Sequence, residues 1–281
     1  MSTLTITRPV AVTDAVDTGR RNFLRDTRIV MVRELRPLLR NPFSLLFGLI
    51  QPLVFLGLFG PLLAGSVGGG TAGVGVGGGE AGNVWQWFVP SILGMTALFG
   101  TSTTGANLLF EFQTGAHERM LVTPLARPAL LVGRALKEMV PLAGQAVVVV
   151  AVMVPFGFEL HLAGALVGMA LLGVFGIGLG ALSYALAVAV RKADWMFWMV
   201  QQTFLFPVMI LSGMLLPLET GPGWMQTLAK GNPLAYVLDA ERALFAGDLA
   251  SPEIAGGFAA AIATAVAGLV VGIRVMVRSA D

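Results

Sequence analysis

The sequence predicts an all-helical integral membrane protein that crosses the bilayer six times, and three observations support this fold class. Hydrophobic residues make up 56% of the 281 residues, and the mean hydropathy is +0.80. Charged residues amount to only 12%, about half the fraction found in soluble domains, which is too few to cover a water-exposed surface. Apolar stretches recur along the chain, each long enough to cross about 30 Å of hydrocarbon as a helix.

The N-terminal 40 residues divide into two parts. Residues 1–19 show no hydrophobic periodicity and are expected to form a disordered tail. Residues 20–40 have the pattern of an amphipathic helix lying in the membrane interface with its arginines toward the phosphates. Its apolar face comprises Phe23, Leu24, Val30, Met31, Leu35 and Leu38, and the opposite face comprises Arg25, Arg33, Arg36 and Arg40. The alternative is a basic flank without fixed structure.

Residues 20–281 are expected to form one transmembrane domain with six spans. The predicted spans are 43–64, 86–110, 139–158, 163–190, 195–217 and 255–277. The first two carry no charge, the third carries one amide, Gln145, and the fourth is rich in glycine. The fifth carries two amides, and the sixth is uncharged until Arg274. Glycines four residues apart, at 176 and 180 and at 268 and 272, predict close packing between helices, within the subunit or, as the alternative, at a dimer seam.

The basic residues predict the orientation of the chain in the membrane. Sixteen of the 18 lysines and arginines fall before the first span, in the loops after the second and fourth spans, or at the C-terminal end. The remaining two, Lys230 and Arg242, lie among acidic residues on the other side. The positive-inside rule places the basic side in the cytoplasm, so both termini are expected there.

Several functional classes are disfavoured by missing residue patterns. No cysteine is present, which excludes thiolate chemistry, and the glycine-rich segment 65–82 lacks the lysine of a P-loop. The two histidines, His117 and His161, fall on opposite sides of the membrane, and no metal site is expected. Ionisable residues are nearly absent from the spans: Glu138 lies at the edge of the third and Arg274 near the end of the sixth, which argues against a proton- or sodium-driven secondary transporter. No cluster of catalytic residues supports a membrane enzyme.

Two polar segments contain more structure than simple connectors. Residues 111–139 are cytoplasmic in this topology, amphipathic and interrupted by Pro124 and Pro128, which predicts a short surface helix and a return toward the membrane. Residues 218–253 contain a break at Gly231-Asn232-Pro233, flanked by two short amphipathic helical patterns. This second pattern suits a re-entrant or interfacial cap outside the last span.

These two segments carry a resemblance to a known family. ERMLVTPLARPALLVGRAL resembles the cytoplasmic loop of ATP-binding-cassette (ABC) export permeases of the second export class, including the daunorubicin-resistance type. LSGMLLPLETGPGWMQTLAKGNPLAYVLDAERALFAGD is similar to the family's signature before its last span, although Asp239 and Glu241 make it unusually acidic. The resemblance extends from about Arg20 to the C-terminus.

The resemblance implies a permease without its own ATPase activity, working as a dimer with a second copy or a homologue. A separate ATPase subunit would bind ATP and Mg, while this chain would bind no cofactor. The loop between spans two and three would contain the coupling helix, with Gly115, Glu118, Arg119 and Leu121 at the ATPase contact. The second and fifth spans would line the substrate cavity, and the expected lining residues are Phe99, Gln201, Gln202 and Phe206.

The resemblance also implies a location and a type of substrate. The protein is expected in the cell (inner) membrane, in contact with lipid and not with nucleic acid. An aromatic, amide-bearing and uncharged lining would suit a hydrophobic or amphipathic drug, antibiotic or lipid, exported from the cytoplasm or the inner leaflet. Export of a polysaccharide or lipid-linked glycan is the first alternative, and secondary transport is the second.

Overall fold

The regular structure of the chain is helical throughout the part that a computed structural model describes, residues 23–40, 42–68, 84–115, 127–218 and 221–278. A 3₁₀ turn, Val154–Phe156, continues the fifth helix. The α-helices of these ranges are α1 (Phe23–Arg40), α2 (Pro42–Gly68), α3 (Val84–Gln113), α4 (Arg127–Lys137), α5 (Met139–Met153), α6 (Leu162–Ala189), α7 (Asp194–Ile210), α8 (Gly223–Ala229), α9 (Pro233–Phe245) and α10 (Pro252–Arg278).

Three segments of the described chain are long and apolar enough to cross a membrane: Ala129–Phe156, Leu162–Ala189 and Pro252–Met276. A shorter apolar helical stretch, Gly48–Leu62, lies in α2. The protein is therefore a helical membrane protein. α2, α3, α6 and α10 coincide with the predicted spans 43–64, 86–110, 163–190 and 255–277, within a few residues at their ends.

The other two predicted spans have different boundaries in the structure. The candidate span Ala129–Phe156 begins ten residues before the predicted start at 139, because only Glu138 separates α4 from α5. α7 ends at Ile210 rather than 217, and its 17 residues give a length of about 26 Å. The chain turns immediately afterwards at Gly213, whose φ of 69° lies in the left-handed region that glycine adopts without strain.

α6 is central to the packing and contacts α3, α4, α5, α7, α9 and α10. Its contact with α10 is close because glycines meet there. A Cβ atom placed on Gly268 would overlap the Gly178 carbonyl group, and one placed on Gly178 would overlap the backbone around Thr264. Gly272 faces Leu131 and the Ala181 carbonyl oxygen, whereas Gly176 faces Thr101 on α3. The predicted close packing within the subunit is confirmed for Gly268 and Gly272, whereas Gly176 and Gly180 meet only side chains and the close backbone contact on α6 is made by Gly178.

The predicted break at residues 231–233 separates α8 from α9. The Asn232 side chain accepts a hydrogen bond from the Leu234 amide at 3.1 Å, which caps α9, and Pro233 occupies its first turn. The same side chain donates to the Val208 carbonyl oxygen at 2.7 Å, which ties the start of α9 to α7.

α1 is helical, as the amphipathic pattern predicts, and it packs against α4. The buried residues on it include Asp26, Thr27 and Val30, and the Thr27 carbonyl oxygen and the Val30 side chain lie directly against Gly133. Leu24, assigned to the predicted apolar face, is 80% exposed in the isolated chain. The α4 contact therefore uses only part of the predicted face.

Candidate functional site

A cavity of about 750 Å³ lies between α2, α3 and α5, with the second half of α1 at one end. The lining divides into an apolar part and a charged part. The apolar part includes Pro52, Met95, Phe99 and Leu142, and the charged part consists of Glu34, Glu111, Lys137 and Glu138. Such a mixed lining can hold the apolar body of a molecule while placing its polar group among fixed charges.

A network of ion pairs, which we call the Arg134 cluster, forms the charged end of the cavity. It comprises Arg134, Glu111, Glu34, Lys137, Glu138 and Thr104. The buried Arg134 guanidinium forms ion pairs with Glu111 and, at 3.6 Å, with Glu34. The Lys137 Nζ lies 3.6 Å from Glu34 and 3.8 Å from Glu138, and the Thr104 hydroxyl donates to the Glu138 carboxylate at 2.7 Å. The cluster thereby joins α1, α3 and α4.

The cluster corrects the expectation that ionisable groups are nearly absent from the spans. Arg134, Lys137 and Glu138 all lie inside the candidate span Ala129–Phe156. Burial of charge is tolerated here because each of these side chains has an oppositely charged neighbour. The spacing 134, 137 and 138 places them on one face of a helix.

The four residues predicted to line the substrate cavity are not brought together in the structure. Phe99 lines the cavity described above. Gln201 is buried in α7 away from it, whereas Gln202 and Phe206 are exposed on the same helix. Gln145, for which the sequence leaves open either cavity lining or hydrogen bonding between helices, lines the cavity, and its amide group lies against Gly48. The role of the predicted residues remains a prediction.

The predicted coupling residues lie at or beyond the end of α3. Glu118, Arg119 and Leu121 fall outside the described residues. Gly115 is the last described residue before that segment, and its φ of 67° takes the chain out of the helical conformation. The segment is bracketed by Glu111 before it and Arg134 after it, and these two side chains form an ion pair.

Near the opposite end of α3, Arg242 holds several elements together. Its Nη2 atom donates to the Ser91 hydroxyl at 3.0 Å and to the Gly213 carbonyl oxygen at 2.8 Å. The guanidinium lies 4.3 Å from the centre of the Trp87 ring, and Asp239 completes its contacts with an ion pair at 3.2 Å. Arg242 therefore connects α9 with the start of α3 and the turn after α7.

The adjacent Glu241 has the opposite environment. It is completely buried, and neither carboxylate oxygen has a hydrogen-bond partner in the part of the chain that the structure describes. Burial raises the pKa of Glu241 to about 8. The carboxylate lies against Gly168 of α6, where a Cβ atom would be 2.6 Å from Oε2. Across the described ranges, no three acidic or histidine side chains converge as a metal site would require.

A family profile and individual relatives both match the chain to permeases of ABC transporters. The profile of the ABC-2 type transporter family matches residues 25–246. The chain is 26% identical over 170 residues to a probable multidrug ABC transporter permease, YbhR, of Escherichia coli, an alignment covering 58% of this chain and 45% of the relative. The chain thus spans less than half the length of that relative.

Two further relatives align over more of their length. The daunorubicin resistance ABC transporter permease protein DrrB1 of Streptomyces coeruleorubidus is 25% identical over 208 residues, covering 73% of this chain and 70% of the relative. The putative transport permease ycf38 of Cyanophora paradoxa is 28% identical over 225 residues, covering 79% of this chain and 75% of the relative.

Proposed function

The chain belongs to the ABC-2 type transporter family, and we propose that it is the permease subunit of an ATP-driven exporter. The proposed substrate is a hydrophobic or amphipathic drug, antibiotic or lipid. The names of the multidrug and daunorubicin-resistance relatives support this reading. The structural observation that carries it is the Arg134 cluster, because it links the ends of the proposed coupling loop to a cavity of substrate size.

We propose a six-span topology with both termini in the cytoplasm of the inner membrane. The spans would be α2, α3, the α4–α5 segment, α6, α7 and α10. α1 would lie at the cytoplasmic interface, and α8 and α9 would form the external cap. The distribution of basic residues supports this orientation. α7 is shorter than the hydrocarbon thickness, so residues 211–217 would complete its passage.

Transport would require two further proteins. A separate ATPase subunit would bind ATP and Mg and contact Gly115, Glu118, Arg119 and Leu121 in the loop after α3. A second permease copy or a homologue would complete the transport path, with Gln201, Gln202 and Phe206 of α7 on that path. The exposed surface of α7 in the isolated chain is compatible with such a partner.

The ion pairs suggest how movement of the loop would reach the cavity. Glu111 and Arg134 connect the two ends of the loop, so a pull on the loop would displace α3 and α4 together. Lys137 and Glu138 belong to the same network and line the cavity. Closure of the ATPase subunits would therefore change the cavity lining directly, and the two arrangements would correspond to inward and outward access.

Co-purification tests the proposal as a whole. The chain, extracted in mild detergent from its native membrane, should bring down a soluble-type ATPase subunit in stoichiometric amount, with vanadate-sensitive ATP hydrolysis. Addition of the transported compound should stimulate that hydrolysis. Substrate flux by the purified chain alone, without an ATPase subunit, would rule the proposal out and favour secondary transport.

A charge reversal tests the coupling assignment. Glu118→Arg should uncouple ATP hydrolysis from transport, reducing transport at least tenfold, while membrane insertion and cavity binding persist. The matched control is Glu253→Arg, which reverses an exposed acid at the start of α10. Transport by reconstituted vesicles and ATPase activity are measured in parallel. Undiminished transport in Glu118→Arg would remove the loop from the coupling model.

A further inference from the structure

A groove separate from the main cavity lies where the end of α6, the following turn, the start of α7 and the end of α10 meet. It is lined by Val188, Ala189, Val190, Arg191, Lys192, Ala193, Met196, Val275 and Arg278. Neither the coupling model nor the substrate cavity uses these residues.

The described residues give the groove a positive charge. Arg191, Lys192 and Arg278 line it, and none of the carboxylates that the structure describes does. Within the described ranges, no acidic side chain forms an ion pair with any of the three. Asp194, two residues after Lys192, accepts a hydrogen bond from Gln113 of α3, and Asp281, three residues after Arg278, lies outside the described residues. Three cations gathered around one groove repel each other, so an anion from outside the described chain would stabilise them.

The position of the groove relative to the candidate spans indicates which type of anion would bind there. Two candidate spans, Leu162–Ala189 and Pro252–Met276, end at the groove. On the first turns of α7, Trp195 and Trp198 are 66% and 54% exposed. Exposed tryptophans next to span ends are typical of the headgroup level of the bilayer. Apolar side chains of Val188, Met196 and Val275 complete the lining, which suits the glycerol and upper acyl region of a lipid.

We propose that this groove binds the headgroup of an anionic phospholipid, with Arg191, Lys192 and Arg278 around its phosphate. Arginine guanidinium groups bind phosphate oxygens through paired N–H donors, and lysine adds a point charge. Basic pockets between membrane helices bind such headgroups in the same manner. The bound lipid would join the end of α10 to the turn between α6 and α7, whether or not the exporter model holds.

The first experiment compares two variants of the full chain in detergent. One is Arg191→Gln/Lys192→Gln/Arg278→Gln, and the control is Lys230→Gln, an exposed lysine between α8 and α9 that lines neither the groove nor the basic face of α1. Thermal-shift titrations with phosphatidylglycerol should give an affinity about a hundredfold weaker for the groove variant, because each of its three basic residues near a membrane surface contributes about fivefold to lipid binding. The control should stay within about twofold of the parent.

Several outcomes would overturn the proposal. They are equal weakening in the two variants, no weakening in the groove variant, and equal affinity of the parent for phosphatidylcholine. Full competition by inorganic phosphate at equal concentration would show a site for free anions rather than lipid. Loss of ATPase-subunit binding in the groove variant, with phosphatidylglycerol affinity unchanged, would assign the groove to a protein contact.

A second measurement does not depend on the folding of the triple variant. In nanodiscs containing the parent chain, phosphatidylglycerol brominated near the headgroup should quench tryptophan fluorescence more than brominated phosphatidylcholine at the same mole fraction. This difference should disappear in Trp195→Phe/Trp198→Phe, which leaves the other tryptophans in place. Equal quenching by the two lipids, or a difference that persists in the variant, would contradict the assignment.

Discussion

The two ends of α3 bury charge in opposite ways. At its C-terminal end, the Arg134 cluster pairs every buried charge with an opposite one across three helices. Near its N-terminal end, Arg242 pairs with Asp239 and donates to Ser91 and Gly213, while the adjacent Glu241 is buried with neither oxygen hydrogen-bonded within the described chain. A paired cluster fixes the relative positions of helices, whereas an unpaired carboxyl makes its helix contact depend on protonation.

The largest loss of stability is expected from breaking the ion pairs of the Arg134 cluster. Arg134→Met removes the cation and leaves Glu111 uncompensated in a low-dielectric site, at a cost of about 3–5 kcal/mol. Melting in detergent, followed by tryptophan fluorescence, should show a clear loss of stability, and the control Arg28→Met should not. The double variant Arg134→Met/Glu111→Leu should recover much of the loss. Similar melting of Arg134→Met and its control would refute the cluster's structural role.

The unpaired carboxyl of Glu241 is tested by the pH dependence of the protein's stability. The pKa of about 8 for Glu241 lies above the ordinary 4.5, so the folded state retains a proton that the unfolded state loses between these values. Stability conferred by the protonated carboxyl is therefore present below pH 4.5 and is lost progressively up to pH 8, by on the order of a few kcal/mol.

Glu241→Gln removes the titrating group and isolates its contribution. Relative to the parent, the variant should gain stability as the pH rises from 5 to 8, because an amide carries no charge that burial could penalise. Glu253→Gln, at an exposed position, is the matched control and should follow the parent. Melting temperatures across this pH range provide the measurement. Parallel curves for Glu241→Gln and the parent would show that burial of Glu241 has no energetic consequence.

A smaller effect is expected at Arg242. Lysine keeps the positive charge in Arg242→Lys but cannot at once donate to Ser91 and Gly213 and stack on Trp87, so a loss of about 1–2 kcal/mol is expected. Arg274→Lys on α10, where the side chain is exposed, is the control. If both variants melt at the parent's temperature, the contacts of Arg242 are not stabilising.

The smallest effect concerns a single hydrogen bond within the Arg134 cluster. Thr104→Val keeps the side-chain volume nearly constant and removes the hydroxyl that donates to Glu138, for an expected loss of about 1 kcal/mol. Thr203→Val provides the control, since that hydroxyl is exposed and donates to its own helix at Met199. Equal melting of the two threonine variants would mean that Lys137 alone satisfies Glu138.

Much of the fold follows from local patterns in the sequence. Apolar length predicted helices at all six proposed spans, and the residues Asn232 and Pro233 predicted a break that the structure realises as a capped helix start. These features are predictable because they depend on residues close in sequence. The glycine pairs were also informative, since a missing side chain on a packed helix usually marks a neighbouring backbone.

The details of the sites depend on contacts between distant residues and were less predictable. Periodicity could not show that α4 runs almost directly into α5, so Arg134 and Lys137 were assigned to a loop rather than to a candidate span. Glu241 was recognised only as an unexpected acid, although the apolar residues three and four positions away on either side indicate a buried helix face. Which α3 and α7 residues share a cavity depends on tertiary packing.

The glycine contact between α6 and α10 has a mechanical consequence. Where two backbones are in direct contact, no side chains lie between them that could repack. The two helices should therefore move as one rigid body during any conformational cycle. Spin labels attached across this contact would report one narrow distance in every state. Motion must then be concentrated in helices with few buried residues, such as α7, in which Phe197, Gln201 and Met209 are buried.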